Sequence, residues 1–371
     1  MTSDDADRAA ALLHLRGATL DKGEPLPMPL TMASMYHLPG DPEGAAQYGR
    51  THNATWEGLE KALGHLEGAP CIAFPSGMAA IAGVFFATLR AGDRLLLPSD
   101  GYYATRALAE RFLAPMGIVV ETRPTAAFLD GGFEGYRLVF VETPSNPGLD
   151  VCDIAATAEA VRAASGLTVV DNTTMTPFGQ RPLDFGADIV VSADTKAMNG
   201  HSDLLMGHVA TRDADLLAAL SDWRRLSGSI PGPFEAWLAH RGLETLDVRF
   251  ARMCDTAEAV APRLADHPAL LSVRYPGLTA DASHGLAARQ MRRFGFLIGL
   301  TFASKGAAER FIDGCAFLRP ATSFGGVHSS AERRARWGDA VEPSYVRLSI
   351  GCEPAEALWP ALERELGRAT S

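Results

Sequence analysis

Residues 189–207 read IVVSADTKAMNGHSDLLMG and place Lys196 just beyond a run of apolar residues. The run predicts a buried strand that ends shortly before the lysine. Lysine side chains ordinarily lie on solvated faces, because burial of an ammonium group costs free energy. Lys196 is therefore either paired with a neighbouring charge or a desolvated, reactive amine.

Short apolar runs alternate with amphipathic segments around this stretch, from residue 56 to about residue 230. Helix-like segments such as DIAATAEAVRAASG (153–166) lie between predicted strands. This alternation indicates βαβ units and an α/β fold with a mostly parallel central sheet that is covered on both faces. The predicted strands are CIAF (71–74), RLLLP (94–98), IVVET (118–122), YRLVFVET (136–143), LTVVDN (167–172), DIVVSAD (188–194) and HVATR (208–212).

Composition and periodicity divide the chain into three regions. Residues 1–55 are rich in proline and glycine and predict an extended arm with a short opening helix. Residues 56–235 form the domain that contains the predicted parallel sheet. Residues 236–371 predict a smaller α+β domain, and one long helical stretch at 233–268 leads into it.

Charge and cysteine usage exclude several classes of partner and compartment. A net charge of -10 over 371 residues, without a basic face, argues against nucleic-acid binding. The N-terminus is acidic, so no signal peptide is expected. No apolar run reaches about 18 residues, so no membrane span is expected. Five scattered cysteines predict free thiols in a reducing compartment, the cytoplasm. The segment RRARW (333–337) predicts a solvated loop.

Polar residues follow the predicted strands at their carboxyl ends, where parallel α/β sheets bind ligands. Each has an ordinary structural explanation as well as a chemical one. Ser76-Gly77-Met78 opens a helix and is either a cap or a phosphate cradle. Asp171 is either a turn cap or the partner of a protonated pyridine nitrogen. Lys196 is either ion-paired or a Schiff-base lysine. The strand-end set is Ser76, Gly77, Met78, Tyr102, Glu142–Asn146, Asp171, Asn172 and Lys196.

Taken together, these residues satisfy the requirements of pyridoxal 5′-phosphate (PLP). A phosphate cradle, a stacking tyrosine, an amide, a carboxylate and an amine follow one another along the chain, each at the end of a strand. The set therefore predicts a PLP enzyme. A metal site is not expected, because His201 and His208 lack the i, i+4 spacing of a helical site and no acid or cysteine joins them at ligand spacing.

Six longer motifs carry a family resemblance over nearly the whole chain. The chain resembles the Cys/Met-metabolism PLP enzymes, the group that contains cystathionine γ-lyase, cystathionine γ-synthase, cystathionine β-lyase and methionine γ-lyase. The motifs are YGRTHNATWEGLEKALGHLEG (48–68), FPSGMAAI (74–81), VETPSNP (141–147), VVDNTTMTPFGQRPLDFGADIVVSADTKAMNGHSD (169–203), HRGLETLDVR (240–249) and VRLSIGCE (346–353).

The resemblance implies a fold-type I PLP domain, a smaller C-terminal domain and a homotetramer, a dimer of dimers with shared active sites. It implies that Lys196 forms a Schiff base with PLP and then transfers protons, that Asp171 binds the pyridine nitrogen, and that Tyr102 stacks on the ring and assists catalysis. The resemblance further implies that Asn146 contacts the ring near its hydroxyl group, and that Gly77, Met78 and Thr195 bind the phosphate. Tyr48 and Arg50 would bind the phosphate of the neighbouring subunit's cofactor. The residues implied to bind the substrate are Arg347, Ser323, His328 and Tyr48.

Several positions depart from the family pattern, and three of them bear most directly on the predicted site. Ala193 stands where the family usually has a serine, three residues before the lysine. His328 stands where γ-lyases and γ-synthases carry glutamate, and Gln47 stands where cystathionine γ-lyases often have an acid. The last two positions line the distal substrate pocket in the family, so they bear on the choice of substrate.

The resemblance therefore implies a cytoplasmic PLP-dependent C–S lyase of the cystathionine γ-lyase type. Such an enzyme acts on a small amino-acid substrate by α,γ-elimination in sulfur amino-acid metabolism. The alternatives are γ-synthase-type replacement on an activated homoserine ester and a γ-eliminase specialised for another amino acid. A non-catalytic PLP-binding protein is disfavoured, because Lys196, Asp171 and Arg347 are all present.

Overall fold

The computed structural model of the chain describes residues 3–44 and 46–369, with Ser3 and Asp4 described by their backbone alone. Its strands are β1 (Cys71–Phe74), β2 (Arg94–Pro98), β3 (Val119–Arg123), β4 (Leu138–Glu142), β5 (Leu167–Asp171), β6 (Ile189–Ser192), β7 (Gly207–Thr211), β8 (Leu270–Arg274), β9 (Leu297–Phe302), β10 (Arg319–Pro320), β11 (Ser330–Arg333) and β12 (Tyr345–Ser349). Its α-helices are α1 (Ser3–His14), α2 (Ala54–Glu67), α3 (Gly77–Thr88), α4 (Tyr103–Leu108), α5 (Ile154–Ala163), α6 (Thr176–Gly179), α7 (Ala214–Ser227), α8 (Pro233–Leu243), α9 (Leu246–Ala265), α10 (His284–Gln290), α11 (Lys305–Gly314) and α12 (Ala355–Ala369).

The first seven strands form one sheet in the order β1-β7-β6-β5-β4-β2-β3. All neighbouring pairs are parallel except the two that involve β7, which runs antiparallel to β1 and β6. The expectation of an α/β fold with a mostly parallel central sheet is confirmed. The seven predicted strands are present, and their ends differ from the predicted ones by at most two residues.

Apolar residues on both sides of the strands hold helices against this sheet. Along β4, Phe140 packs with residues of α3 on one face, whereas Val139 and Val141 pack with α5 on the other. The alternation follows from the two-residue period of a strand, and a doubly covered strand therefore has few polar positions. Each fully buried side chain of this size contributes about 1.5–3 kcal/mol to folding.

The second sheet has the order β10-β11-β12-β9-β8 and is antiparallel apart from the β10–β11 pair. Alternation along β12 places Val346 and Leu348 in the hydrophobic core, so Arg347 points to the opposite face. The same core continues through α9 and α8 to α2, the helix that packs against the first sheet. The boundary between residues 235 and 236 therefore stays a prediction.

The helical stretch expected at 233–268 is present as two helices, α8 and α9, with a break between them. At the break, the Gly242 carbonyl accepts a hydrogen bond from Arg249 Nη2 at 2.7 Å. The same guanidinium also donates to the carbonyl oxygens of Ala197 (2.7 Å) and Met198 (3.0 Å). Arg249 thus joins the break between the two helices to the backbone that follows Lys196.

Residues 15–44 and 46–53 form an extended arm after α1. An isolated bridge joins Met35 and Tyr48. The arm leaves Leu26, Met32 and Met35 exposed, each by more than 70%. No helix within residues 3–44 and 46–369 is long and apolar enough to cross a membrane.

Candidate active site

A cavity of about 450 Å³ opens at the carboxyl ends of β1, β2, β4, β5 and β6. This is the edge at which parallel α/β sheets bind ligands. Residues 322–324, which lie between β10 and β11, and Arg347 of β12 close its other side. The sequence-predicted site residues that line the cavity are Gly77, Met78, Tyr102, Asn146, Asp171, Thr195, Lys196, Ser323 and Arg347.

The Ser76-Gly77-Met78 turn forms one wall at the start of α3. Ser76 Oγ accepts a hydrogen bond from Ala79 N at 3.1 Å and so caps the helix. A Cβ atom on Gly77 would lie 2.6 Å from the Cβ of Ala193, and one on Gly207 would lie 2.7 Å from Gly77 N. The turn therefore needs glycine for its close packing, and its position at the helix N-terminus suits an anion.

Lys196 lies in a tight turn after β6. Its backbone N–H donates to Ala193 O at 3.1 Å, and its carbonyl accepts from Gly200 N at 2.8 Å. The Nζ atom donates to Ser323 Oγ at 2.9 Å and lies 4.9 Å from the ring centroid of Phe324. Burial, followed by the charge of Arg347, lowers the pKa of Lys196 to about 8. A neutral, nucleophilic amine is therefore accessible near neutral pH.

Asp171 lies at the end of β5, and its side chain is nearly buried. Thr173 donates to Oδ1 of this carboxylate through both its backbone N–H (3.0 Å) and its hydroxyl (2.5 Å). Both bonds go to one oxygen, so the other oxygen can accept from a ligand in the cavity. Burial raises the pKa of Asp171, whereas the Thr173 bonds lower it.

Glu142 is the register partner of Asp171 on β4 and lines the same cavity. Its carboxylate accepts from Tyr102 N at 2.6 Å and from Asn146 N at 2.8 Å, so it fixes two of the predicted cofactor residues. Burial, followed by the charge of Asp171, raises the pKa of Glu142 to about 8. The strand-end pattern included Glu142 but gave no reason for a specific role.

Arg347 points from β12 into the cavity beside Lys196. It donates to Asn146 Oδ1 at 2.5 Å and to Thr322 O at 2.8 Å, and it lies opposite Glu332 of β11, 3.4 Å from Oε2. Burial lowers the pKa of Arg347 to about 10, so the guanidinium stays charged near neutral pH. A buried guanidinium in this position can bind a carboxylate by a two-point contact.

The expectation of a solvated loop at RRARW (333–337) is wrong. Residues Arg334–Trp337 form a 3-10 turn, and Arg334 is buried, between Glu332 (2.8 Å) and Asp339 (2.7 Å). Both Arg334 and Trp337 line the cavity. The buried carboxylates stabilise arginines that a local charge pattern assigns to solvent.

Three of the predicted site residues lie outside this cavity. Tyr48 and Arg50 are exposed on the arm, where the guanidinium carbon lies 5.6 Å from the tyrosine ring centroid. The resemblance assigned both of them to a neighbouring subunit, and that role stays a prediction. His328 is exposed and does not line the cavity of the single chain, so its substrate role also stays a prediction.

The polar atoms of the cavity fit PLP. The hydroxyl oxygens of Ser192 and Thr174 are buried, line the cavity and have no hydrogen-bond partner within the described part of the chain. Such atoms indicate a missing polar ligand. Ser192 directly precedes Ala193, the position that departs from the family pattern. Thr195 Oγ1 already contacts Met206 O (3.2 Å) and Met206 N (3.0 Å), so its phosphate role stays a prediction.

An amine, a carboxylate and an anion cradle at the ends of parallel strands define a PLP-dependent enzyme. The model of the Cys/Met metabolism PLP-dependent enzyme family matches residues 25–366. The chain therefore belongs to this family.

Individual relatives cover nearly the whole chain. A Streptomyces coelicolor protein provisionally named cystathionine gamma-lyase is 49% identical, over 94% of this chain and 91% of that protein. The cystathionine gamma-synthase of Mycobacterium tuberculosis is 39% identical, over 88% of each chain. The structure of cystathionine gamma-synthase from Xanthomonas oryzae pv. oryzae in complex with cystathionine matches with a TM-score of 0.91 and 34% identity, over 100% of this chain and 99% of that chain.

Proposed function

We propose that this enzyme is a C–S lyase of the cystathionine γ-lyase type, which converts cystathionine to cysteine, 2-oxobutanoate and ammonia. The observation that carries the proposal is the placement of Lys196, with its lowered pKa, in one cavity with Asp171 and Arg347. The 49% identical relative with a γ-lyase name supports this choice of reaction.

The residues of the cavity divide the work of such a reaction. When bound, PLP supplies an electron sink for the bonds at the substrate's α-carbon. Arg347 holds the α-carboxylate, and Asp171 accepts a hydrogen bond from the protonated ring nitrogen. Lys196 Nζ would hold the cofactor and, once free, would take up the proton from the substrate's Cα. Tyr102 would lie against the cofactor ring and assist departure of the Cγ substituent.

The second candidate is γ-replacement on an activated homoserine ester, as in a cystathionine γ-synthase. The relatives from Mycobacterium tuberculosis and Xanthomonas oryzae, both named cystathionine gamma-synthase, support it. The third candidate is a γ-eliminase specialised for another amino acid. His328 and Gln47 support that candidate, because they stand where γ-lyases of the family carry acids.

A substrate panel separates these candidates. The γ-lyase proposal predicts that the PLP-loaded enzyme releases 2-oxobutanoate from cystathionine alone, measured by reduction of the keto acid with a coupled dehydrogenase. Activity only with a homoserine ester plus cysteine would favour the synthase instead. Pyruvate from cystathionine would indicate β-elimination and contradict both.

We also propose that the enzyme is a cytoplasmic homotetramer, a dimer of dimers in which each arm completes the neighbouring subunit's site. The exposed apolar residues Leu26, Met32 and Met35 support an arm that is covered by another subunit, because large exposed apolar surfaces mark interfaces. Exposure of Tyr48 and Arg50 on the same arm is consistent with this role. All five cysteines are free, which supports a reducing compartment.

Mixed subunits test the shared site. Lys196→Ala and Arg50→Ala subunits are each expected to be nearly inactive alone. Unfolded together and refolded, they should regain about a quarter of the wild-type activity, because half of the dimers are hybrids with one intact site of two. Recovery of no activity, with sedimentation confirming mixed assembly, would contradict the shared site.

A further inference from the structure

Beneath the cavity floor, three buried ionisable side chains form a row that the proposed reaction does not use. His208 Nδ1 lies 2.7 Å from Asp194 Oδ1, and His208 Nε2 lies 3.2 Å from Glu67 Oε1. The exposed fraction is 0% for His208, 1% for Glu67 and 2% for Asp194. From the sequence, His208 was a candidate only as a metal ligand, and its spacing argued against that role.

The row fixes a positive charge inside the protein. A neutral imidazole has one N–H, and ionised carboxylates only accept hydrogen bonds, so contacts of both ring nitrogens with acid side chains favour the doubly protonated ring. The two carboxylates raise the pKa of His208 to about 10 against the effect of burial. With both acids ionised, Glu67, His208 and Asp194 carry a net charge of about -1.

The strand register places this cation two strands away from Asp171, with the two side chains on opposite faces of the sheet. His208 of β7 pairs with Ser192 of β6, and the preceding residue Val191 pairs with Asp171 of β5. His208 is thus two strands away from Asp171, a separation of about 10 Å, through protein rather than water. Of the charged groups that lower the pKa of Asp171, His208 comes first, ahead of Lys196.

The row is also joined to the lysine turn. Asp194 lies two residues before Lys196, and its carbonyl accepts from Asn199 N at 2.9 Å. Burial, followed by the charge of Glu67, raises the pKa of the Cys71 thiol on β1 well above its usual value. Within the cavity, Asp171 is the titratable group whose pKa the charge of His208 lowers, and Glu142 is the acid that faces Asp171 on β4.

We propose that His208, held as an imidazolium between Glu67 and Asp194, is a positioning residue that keeps Asp171 ionised for the ring nitrogen of the bound cofactor. The inference rests on the proposed function of this cavity as the PLP site. His208 acts through Asp171 and touches neither substrate nor cofactor.

The test is the pH titration of the cofactor's visible absorbance band in the PLP-loaded protein, between pH 6 and pH 10. In His208→Gln, loss of the cation disfavours the Asp171 carboxylate and with it the proton on the ring nitrogen. A less positive ring holds the proton at the lysine nitrogen more tightly, so the midpoint should rise by on the order of 0.5–1 pH unit.

Glu67→Gln removes a negative charge from the row and leaves the shorter Asp194–His208 contact in place. Its midpoint should fall, by on the order of 0.5 pH unit. The matched control is His65→Gln, on the same helix as Glu67, because the His65 ring contacts the backbone oxygen of Arg8 (2.9 Å) and not the row. This control should leave the midpoint unchanged.

Opposite shifts of the two variants are the expected result, since a merely structural row would lower stability without moving the midpoint in opposite directions. Shifts of equal sign, or yellow variants without a shift, would overturn the inference. If His208→Gln does not fold, Glu67→Gln decides: a lower midpoint supports the inference, and an unchanged or higher one overturns it. A colourless wild-type protein would instead overturn the proposed function, and the inference with it.

Discussion

Lys196→Ala is expected to abolish the visible absorbance of the purified enzyme and to lower kcat by at least about 10³-fold. The amine is the group that binds the cofactor covalently and the base that removes the Cα proton, so one substitution removes both functions. The Nζ atom of Lys196 lies 2.9 Å from Ser323 Oγ, and burial in the cavity lowers the pKa of Lys196 to about 8. Absorbance spectra and single-turnover kinetics measure the two losses separately.

The matched control is Lys305→Ala. Lys305 lies at the start of α11, where its side chain is 59% exposed and pairs with Glu309 at 3.8 Å. We expect this variant to keep its colour and its kcat, because an exposed pair of this kind contributes less than about 1 kcal/mol. A coloured, active Lys196→Ala variant would contradict the assignment of Lys196.

Arg347→Lys is expected to lower kcat/KM by about 100-fold, mainly through a higher KM. Lysine keeps the positive charge but loses the planar fork that contacts both oxygens of a carboxylate. It also leaves Asn146 Oδ1 and Thr322 O without the donors that Arg347 supplies at 2.5 and 2.8 Å. Steady-state kinetics with the best substrate of the panel measures the split between KM and kcat.

Arg333→Lys provides the control for this variant. Arg333 is on β11, the strand that neighbours β12, but it points away from the cavity and pairs with Glu309 at 2.8 Å. Its substitution should change kcat/KM less than about threefold. Equal losses in both variants would show that the effect of Arg347→Lys comes from damage to the sheet.

The parallel sheet and the strand-end residues could be predicted from sequence for a definite physical reason. A strand covered on both faces must be apolar throughout, so runs such as LTVVD (167–171) mark its extent, and the next polar residue lies at the sheet edge. Asp171 and Lys196 were found in this way, although neither is close to the other in sequence.

Features that depend on particular side-chain contacts could not be predicted from the sequence pattern. Arg334 looks like a surface residue in RRARW, but it is buried against Glu332, which also contacts Arg347 of the neighbouring strand. At the break between α8 and α9, Arg249 donates to the Gly242 carbonyl. Residue periodicity shows neither contact.

The role of His208 illustrates the same limit. Its sequence neighbours give no reason for a charge, since it lies inside the apolar strand β7. Only the antiparallel register of β7 with β6, and the end of α2 beneath it, bring Asp194 and Glu67 to the two ring nitrogens. A buried histidine is explained by its partners rather than by its position along the chain.

The most direct test of Lys196 as the cofactor anchor is borohydride reduction of the yellow enzyme, followed by mass spectrometry of its peptides. Reduction of the carbon–nitrogen double bond fixes the cofactor to its lysine permanently. The sequence has four lysines, at positions 22, 61, 196 and 305, so the assignment is unambiguous. We predict that the added mass lies on the peptide that contains Lys196. Added mass on a peptide with any other lysine, or on none, would contradict the account.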